Sequence, residues 1–123
     1  SIHIHCMSFG FKHGIPKDAD YIFDVRFLPN PFYVSELKEK TGLDEDVRSF
    51  VMGNAAAEIF EEKLHSLVDF IISECVKEGR SQLMIAIGCT GGHHRSVTFA
   101  QSLCRHLISG GYKCSVSHRD INK

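Results

Sequence analysis

No apolar run in this chain of 123 residues is long enough to cross a membrane, and no secretory signal is visible. No Cys-x2-Cys or His-x3-His spacing occurs, which removes the common zinc arrangements. The five cysteines are odd in number and lack a tight pairing pattern, so a disulfide scaffold is not expected and a reducing, cytoplasmic setting fits best. Repeats, low-complexity tracts and linkers are missing, leaving one domain over residues 1–123. The chain starts at Ser1 directly inside an apolar–polar alternation, as a fragment of a longer protein would.

Acidic residues are nearly absent from one part of the chain. Residues 79–123 hold 6 Lys/Arg and a single acid, Asp120, whereas residues 1–78 hold 8 Lys/Arg and 14 Asp/Glu. Whole-molecule charge is only −1 and argues for no nucleic acid partner. The split is −6 against +5, and four of the eight histidines lie in the basic part, which favours an anionic ligand there.

The basic part opens with Leu83-Met84-Ile85-Ala86-Ile87 running into Gly88-Cys89-Thr90-Gly91-Gly92-His93-His94-Arg95-Ser96. An unbroken apolar run beside glycine reads as a buried strand, and the pattern after it as a helix. Glycines let a ligand approach the backbone, and successive amides at a helix start make an anion site, most naturally for phosphate. Arg95 adds a planar fork, and Thr90, His94 and Ser96 add donors.

Upstream, Ile2, Ile4 and Cys6 alternate with His3, His5 and Met7 as a first strand, followed by a loop over 8–16. Tyr21–Phe27 is a second strand interrupted by Asp24, which either pairs with Arg26 or sits at the strand end to hold a loop or a ligand hydroxyl. Pro29-Asn30-Pro31 ends it, and Phe32 and Tyr33 pack over core or ligand. Asp44 is expected to cap one helix and Asn54 a longer one, with Ile59, Phe60, Leu64, Leu67, Val68, Ile71 and Cys75 as the latter's apolar stripe. Val97, Ala100, Cys104, Leu107 and Ile108 mark the helix after the glycine turn, and residues 112–117 alternate as a last strand. Helix-length crossovers predict an α/β domain with a mainly parallel sheet of about four strands and helices packed on it. The loops at 8–16, 24–31, 88–95 and 117–120 would then meet at one edge of the sheet.

The same turn also reads Cys-x5-Arg, the spacing of cysteine-dependent phosphatases. In that reading Cys89 is the nucleophile, Arg95 holds the phosphoryl group, Ser96 assists the leaving thiolate, and Asp24 or Asp120 is the general acid. Gly88 stands where such enzymes usually carry His. A metal site from Cys89, His93, His94 and His118 is a weaker alternative, because the ligand spacing does not support it.

Several stretches resemble the RapZ/YvcJ family, specifically its C-terminal domain. They are Ser8-Phe9-Gly10-Phe11-Lys12 with Gly14-Ile15-Pro16, Phe23-Asp24-Val25-Arg26-Phe27-Leu28-Pro29-Asn30-Pro31, Ala86–Gly92, His94–Val97 and His118-Arg119-Asp120. The Walker A loop of the family's N-terminal domain, G-x-x-x-x-G-K-[ST], does not occur here. The resemblance implies a regulatory rather than catalytic domain, and no cofactor or metal is expected. Its enteric branch is an RNase adapter that binds small regulatory RNA, recruits an endoribonuclease and responds to glucosamine 6-phosphate. Carried over by motif, the ligand residues are Asp24, Cys89, Thr90, Gly91, His94 and Arg95, and the turn adds Gly92 and Ser96. Enteric members place His where this chain has Phe32. RNA contact would use the basic part, with Arg105, Lys113, Arg119 and Lys123 as candidates. The expected partners are thus a phosphorylated amino sugar or other phosphate metabolite, RNA with its nuclease, and a second copy of the chain.

Overall fold

The computed structural model describes residues 1–123. Four strands, β1 (His3–Gly10), β2 (Tyr21–Asp24), β3 (Gln82–Cys89) and β4 (Lys113–His118), form one sheet in the order β2-β3-β1-β4. Every pairing is parallel. Three helices, α1 (Glu45–Met52), α2 (Ala55–Lys77) and α3 (Arg95–Ser109), supply the β2–β3 and β3–β4 crossovers and the packing layer. The α/β architecture expected from the alternation of elements is the one observed.

Register fixes where the loops go. Gly10 lies opposite Cys89, Asp24 opposite Gly88, and Ser8 opposite His118. Because the strands are parallel, all four carboxyl ends fall at one edge, and the loops that follow them converge there.

Alternation within the strands decides the layers. Ile4 and Cys6 of β1 and Leu83, Ile85, Ile87 and Cys89 of β3 join Leu64, Val68 and Ile72 of α2 and Phe99, Leu103 and Leu107 of α3 in one core. The central apolar run is buried on its second face as well. There Gly88 lies under the Phe9 and Phe11 rings, and a Cβ at Gly88 would collide with both. Glycine at 88 is therefore a packing requirement, which accounts for its place in an otherwise large-residue strand.

Some boundaries differ from expectation. β1 runs on through Ser8-Phe9-Gly10, because β3 pairs with all three residues and β4 with Ser8. A 3-10 turn over Phe11–His13 follows. β2 is shorter than the 21–27 run, because the chain turns after Val25, whose amide still reaches the Gly88 carbonyl. Asn54 caps α2 as expected, accepting from Ala57 N at 2.9 Å. Asp44 stands at the start of α1, but its carboxylate accepts from Thr41 N behind it and not from the helix. The α2 stripe is rotated: Ala57, Leu64, Val68, Ile72 and Cys75 are buried, while Ile59 and Leu67 face solvent. In α3, Ile108 is likewise exposed. No helix is long and apolar enough to cross a membrane.

Candidate functional site

The turn from β3 to α3 is held by close backbone packing. Gly92 has φ +82°, and a Cβ there would meet the Gly10 amide nitrogen and the Asp120 side chain. A Cβ on Gly10 would meet the Gly91 backbone in turn. Two glycines thus let the end of β1 and the turn touch directly. Asp120 anchors the contact: it is fully buried, accepts from Gly10 N at 2.7 Å, and pairs with Arg119 and Lys123 at 2.8 Å each. Burial alone would raise its pKa. The hydrogen bonds from Arg119, Gly10 and Lys123 more than offset that and hold it below the usual carboxylate range. Further ties come from Lys12 N to Thr90 O and Gly42 N to His93 O.

The start of α3 is open. No side chain caps it, and its first helical backbone bond is Thr98 N to His94 O. The amides from Thr90 through Val97 find no acceptor within the protein. Unpaired amides at a helix start carry the positive end of the helix dipole. Beside them lies a cavity of about 220 Å³ lined by Lys12, Asn30, Phe32, Tyr33, Cys89, Thr90, Gly91, His93, His94 and Arg95. Its two Lys/Arg side chains, Lys12 and Arg95, come from different elements, and no carboxylate lines it. A larger cleft of about 400 Å³ lies between α1, α2 and α3, where Glu45, Glu58 and Glu61 stand with Arg48 and Arg105. That cleft is away from the sheet edge and holds no buried polar atom without a partner.

The two buried side-chain atoms without partners both belong to the smaller cavity's lining: His94 Nε2 and Arg95 Nε. Such groups are costly when left dry and unpaired. His94 is 5% exposed, and burial holds its pKa below the ordinary imidazole value. The carbonyls of Lys40 and Lys38 oppose that shift, while His93 and Arg95 add to it. Arg95 is 4% exposed, and much of its fork is already engaged. Nη1 donates to the carbonyls of Arg26 and Leu28, at 2.8 and 3.0 Å, and Nη2 reaches Thr90 Oγ1 at 3.4 Å. Arg95 therefore clamps the 26–28 loop against the turn, and only part of its fork faces elsewhere.

Of the residues expected at the site, Cys89, Thr90, Gly91, His94 and Arg95 come together around the cavity. Gly92 shapes the turn, and Ser96 Oγ accepts from Cys89 Sγ at 3.1 Å. Asp24 does not line the cavity: its carboxylate receives Arg26 Nε and Nη2, plus the Arg26 amide. Those bonds, chiefly from the Arg26 side chain, lower its pKa despite opposing desolvation. The two acids considered for a phosphatase are thus both stabilised as carboxylates, the opposite of what a general acid at neutral pH requires. Of the residues of the metal reading, Cys89, His93 and His94 line the cavity, but no group of three or more His, Cys, Asp or Glu is arranged to hold an ion. His118 is held by Ser8 Oγ and Gln101 Oε1.

The four RNA candidates form no single patch. Arg119 and Lys123 are engaged with Asp120, Arg105 lines the helical cleft, and Lys113 starts β4 at the opposite edge of the sheet. Lys12 and Asn30 were not singled out from sequence. The signals for them are membership of loops expected to meet at the sheet edge and of stretches that resemble the family. Asn30 owes its position to a local cap, accepting from Phe32 N at 3.1 Å.

Comparison with known proteins places the chain in a family. Curated relatives named nucleotide-binding proteins include one from Alkaliphilus oremlandii, 55% identical over 119 residues, covering 97% of this chain and 41% of the relative. One from Geobacillus kaustophilus is 55% identical over 120 residues, covering 98% of this chain and 40% of the relative. One from Clostridium botulinum is 51% identical over 120 residues, with 98% and 41% covered. The chain thus spans about two-fifths of the length of the curated relatives it matches. A family model described as the RapZ C-terminal domain matches residues 2–122, and the chain belongs to that family.

Proposed function

We propose that this domain is a regulatory sensor that binds a phosphorylated amino sugar, of the glucosamine 6-phosphate kind, at the β3–α3 turn. The observation that carries this reading is the row of unpartnered amides from Thr90 to Val97 beside the buried, unsatisfied His94 Nε2 and Arg95 Nε. A phosphate group satisfies such donors together, and Lys12 adds a flexible cation. The sugar ring would rest toward Asn30, Phe32 and Tyr33. Asp24 supports the site at one remove, by fixing Arg26, whose carbonyl receives Arg95.

Calorimetry with glucosamine 6-phosphate, glucose 6-phosphate and inorganic phosphate tests the proposal. The amino sugar phosphate should bind best. Arg95→Ala should weaken it on the order of tenfold or more, taking ~1.5–3 kcal/mol for a hydrogen bond to a charged group. Lys12→Ala should weaken all three ligands. Sulfate, which does not titrate near neutrality, isolates His94. A bound anion favours the imidazolium, so the His94 pKa rises on binding and sulfate affinity should increase as pH falls through the bound-state pKa. His94→Gln should flatten that profile. No binding at millimolar ligand would sink the reading. Cys89-dependent turnover of an aryl phosphate would replace it with the phosphatase alternative, against which stands a buried thiol donating to Ser96.

A role as an RNase adapter, contacting small RNA and an endoribonuclease, is the second reading. It rests on the family alone, and the dispersal of Arg105, Lys113, Arg119 and Lys123 gives it no single surface. Reversal of Arg105 and Lys113 to Glu should weaken RNA binding if that surface is used, and added salt should do the same.

A further inference from the structure

Two histidines from different helices lie face to face on the seam between α2 and α3. The rings of His65 and His106 are 4.2 Å apart between centroids and 17° from parallel. Both side chains are half-buried. Each ring leads to a carboxylate. His106 Nε2 donates to the Asp69 carboxylate, 3.0 and 2.9 Å from its two oxygens. Ser102, 7% exposed, donates its hydroxyl hydrogen to Glu61. His65 Nε2, 3.2 Å from Ser102 Oγ, is therefore the donor in that contact. Both neutral rings thus carry their hydrogen on Nε2, and a further proton on either goes to Nδ1. Stacked rings do not aim their nitrogens at a common point, and the cluster is not arranged to hold an ion. What it can take up is protons.

We infer that this pair is a proton-sensitive latch between α2 and α3, closed while no more than one ring is charged and released when both are. The charges that face it are Glu61 and Asp69, both on α2. Arg105 of α3 shares the neighbouring cleft with Glu61 and Ser102 but makes no ion pair with either acid. With both rings neutral, the two carboxylates are uncompensated, so a first proton is welcome. It settles on His106, whose ring touches a carboxylate directly. A second proton has to go to His65, which reaches its carboxylate only through a hydroxyl and would then face a like charge across the stack. Burial, and after it the neighbouring His106, hold the His65 pKa below the ordinary imidazole value, against the pull of Glu61 and Asp69. The neutral ring therefore belongs to the closed seam. Its contribution is present above the ordinary histidine pKa of about 6.5 and is lost as pH falls through the lower folded value.

The latch is independent of the anion site, and so is its test. In an NMR titration of the histidine rings of the 123-residue chain, His65 should titrate below the ordinary value. His106→Gln, which removes the facing charge and keeps a polar side chain, should raise the proton affinity of His65 about threefold or more. A nuclear Overhauser effect between the two rings should be present at neutral pH and vanish once both rings are charged. His65→Phe keeps a flat ring against His106 but takes no proton. Part of the stability that the wild-type chain loses in urea unfolding as pH falls below about 6.5 should therefore be missing in this variant. The two NMR measurements decide the matter whether or not His65→Phe folds. A His65 titration that ignores His106→Gln overturns the proposal. A ring-to-ring Overhauser effect that persists with both rings charged, or acid limbs that coincide for wild type and a folded His65→Phe, does so too.

Discussion

α2 and α3 begin in opposite ways and are held in opposite ways. α2 is closed at its start, where the Asn54 side chain takes the Ala57 amide, yet one long face lies bare. α3 is bare at its start, where no side chain caps it, yet Arg95 through Ala100 are all buried. A helix end can be left unsatisfied only if packing along the helix body holds it in place. α3 meets that condition through contacts with three strands, and its free amides remain for a ligand. α2 meets the converse condition: with its end secured and one side packed, its remaining side is available to another surface.

The largest effect should come from breaking this division directly. Phe99 in α3 is fully buried and packs edge-on against Phe60, whereas Phe70 in α2 is mostly exposed. Phe99→Ala should cost about 3–5 kcal/mol, the usual penalty for emptying a phenylalanine site in a core. Phe70→Ala, compared at concentrations where the chain is monomeric, should change stability by no more than about 0.5 kcal/mol. Urea unfolding measures both. Equal losses would mean that α2 is packed on the side identified as free.

A smaller effect should follow at the anchor below the turn. Asp120→Asn keeps the shape but weakens the acceptor for Gly10 N and removes the charge paired with Arg119 and Lys123. Those cations are partly exposed and can rehydrate, so the expected loss is about 1–3 kcal/mol at neutral pH. The folded pKa of Asp120 is depressed, so its contribution is present above the ordinary carboxylate pKa of about 3.9 and lost as pH falls through the lower folded value. The wild-type chain should therefore lose stability below about pH 4, and this part of the acid loss should be missing in Asp120→Asn. Identical acid limbs for the two proteins would show that Asp120 is not the buried anchor.

The stretch from β3 through the glycine turn into α3 was legible because its signals are local: an unbroken apolar run, then Gly88, Gly91 and Gly92, then a helical stripe. Convergence of the four loops was legible because strand–helix alternation implies parallel strands. Other features depend on contacts distant in sequence. The extension of β1 to Gly10 comes from pairing with β3, a strand formed much later in the chain. The commitment of Arg95 to the carbonyls of Arg26 and Leu28 joins positions 69 and 67 residues apart. Lys12 reached the cavity on a turn with no periodic signal. The rotation of α2 was hidden because its apolar sector is wider than one face, and spacing alone does not say which part of a wide sector the sheet will take. Asp120 was visible as the sole acid of the basic part, but not as a buried anchor.

The smallest expected effect separates the two helix starts. Asn54→Ala removes a side-chain cap and leaves the Ala57 amide to solvent, which should cost about 1 kcal/mol. That loss should be the same with and without sulfate, since neither Asn54 nor any residue of α2 lines the cavity. At α3 no equivalent side-chain cap exists to be removed, so the corresponding stabilisation has to come from outside. Saturating sulfate should raise the midpoint of urea unfolding for wild type and for Asn54→Ala by the same amount, because binding to the native state alone adds a term independent of a distant cap. His94→Gln should shrink that increment while leaving the sulfate-free midpoint close to wild type, if the unsatisfied Nε2 serves the anion. An increment that vanishes in Asn54→Ala and persists in His94→Gln would place the anion at the wrong helix and reverse the comparison.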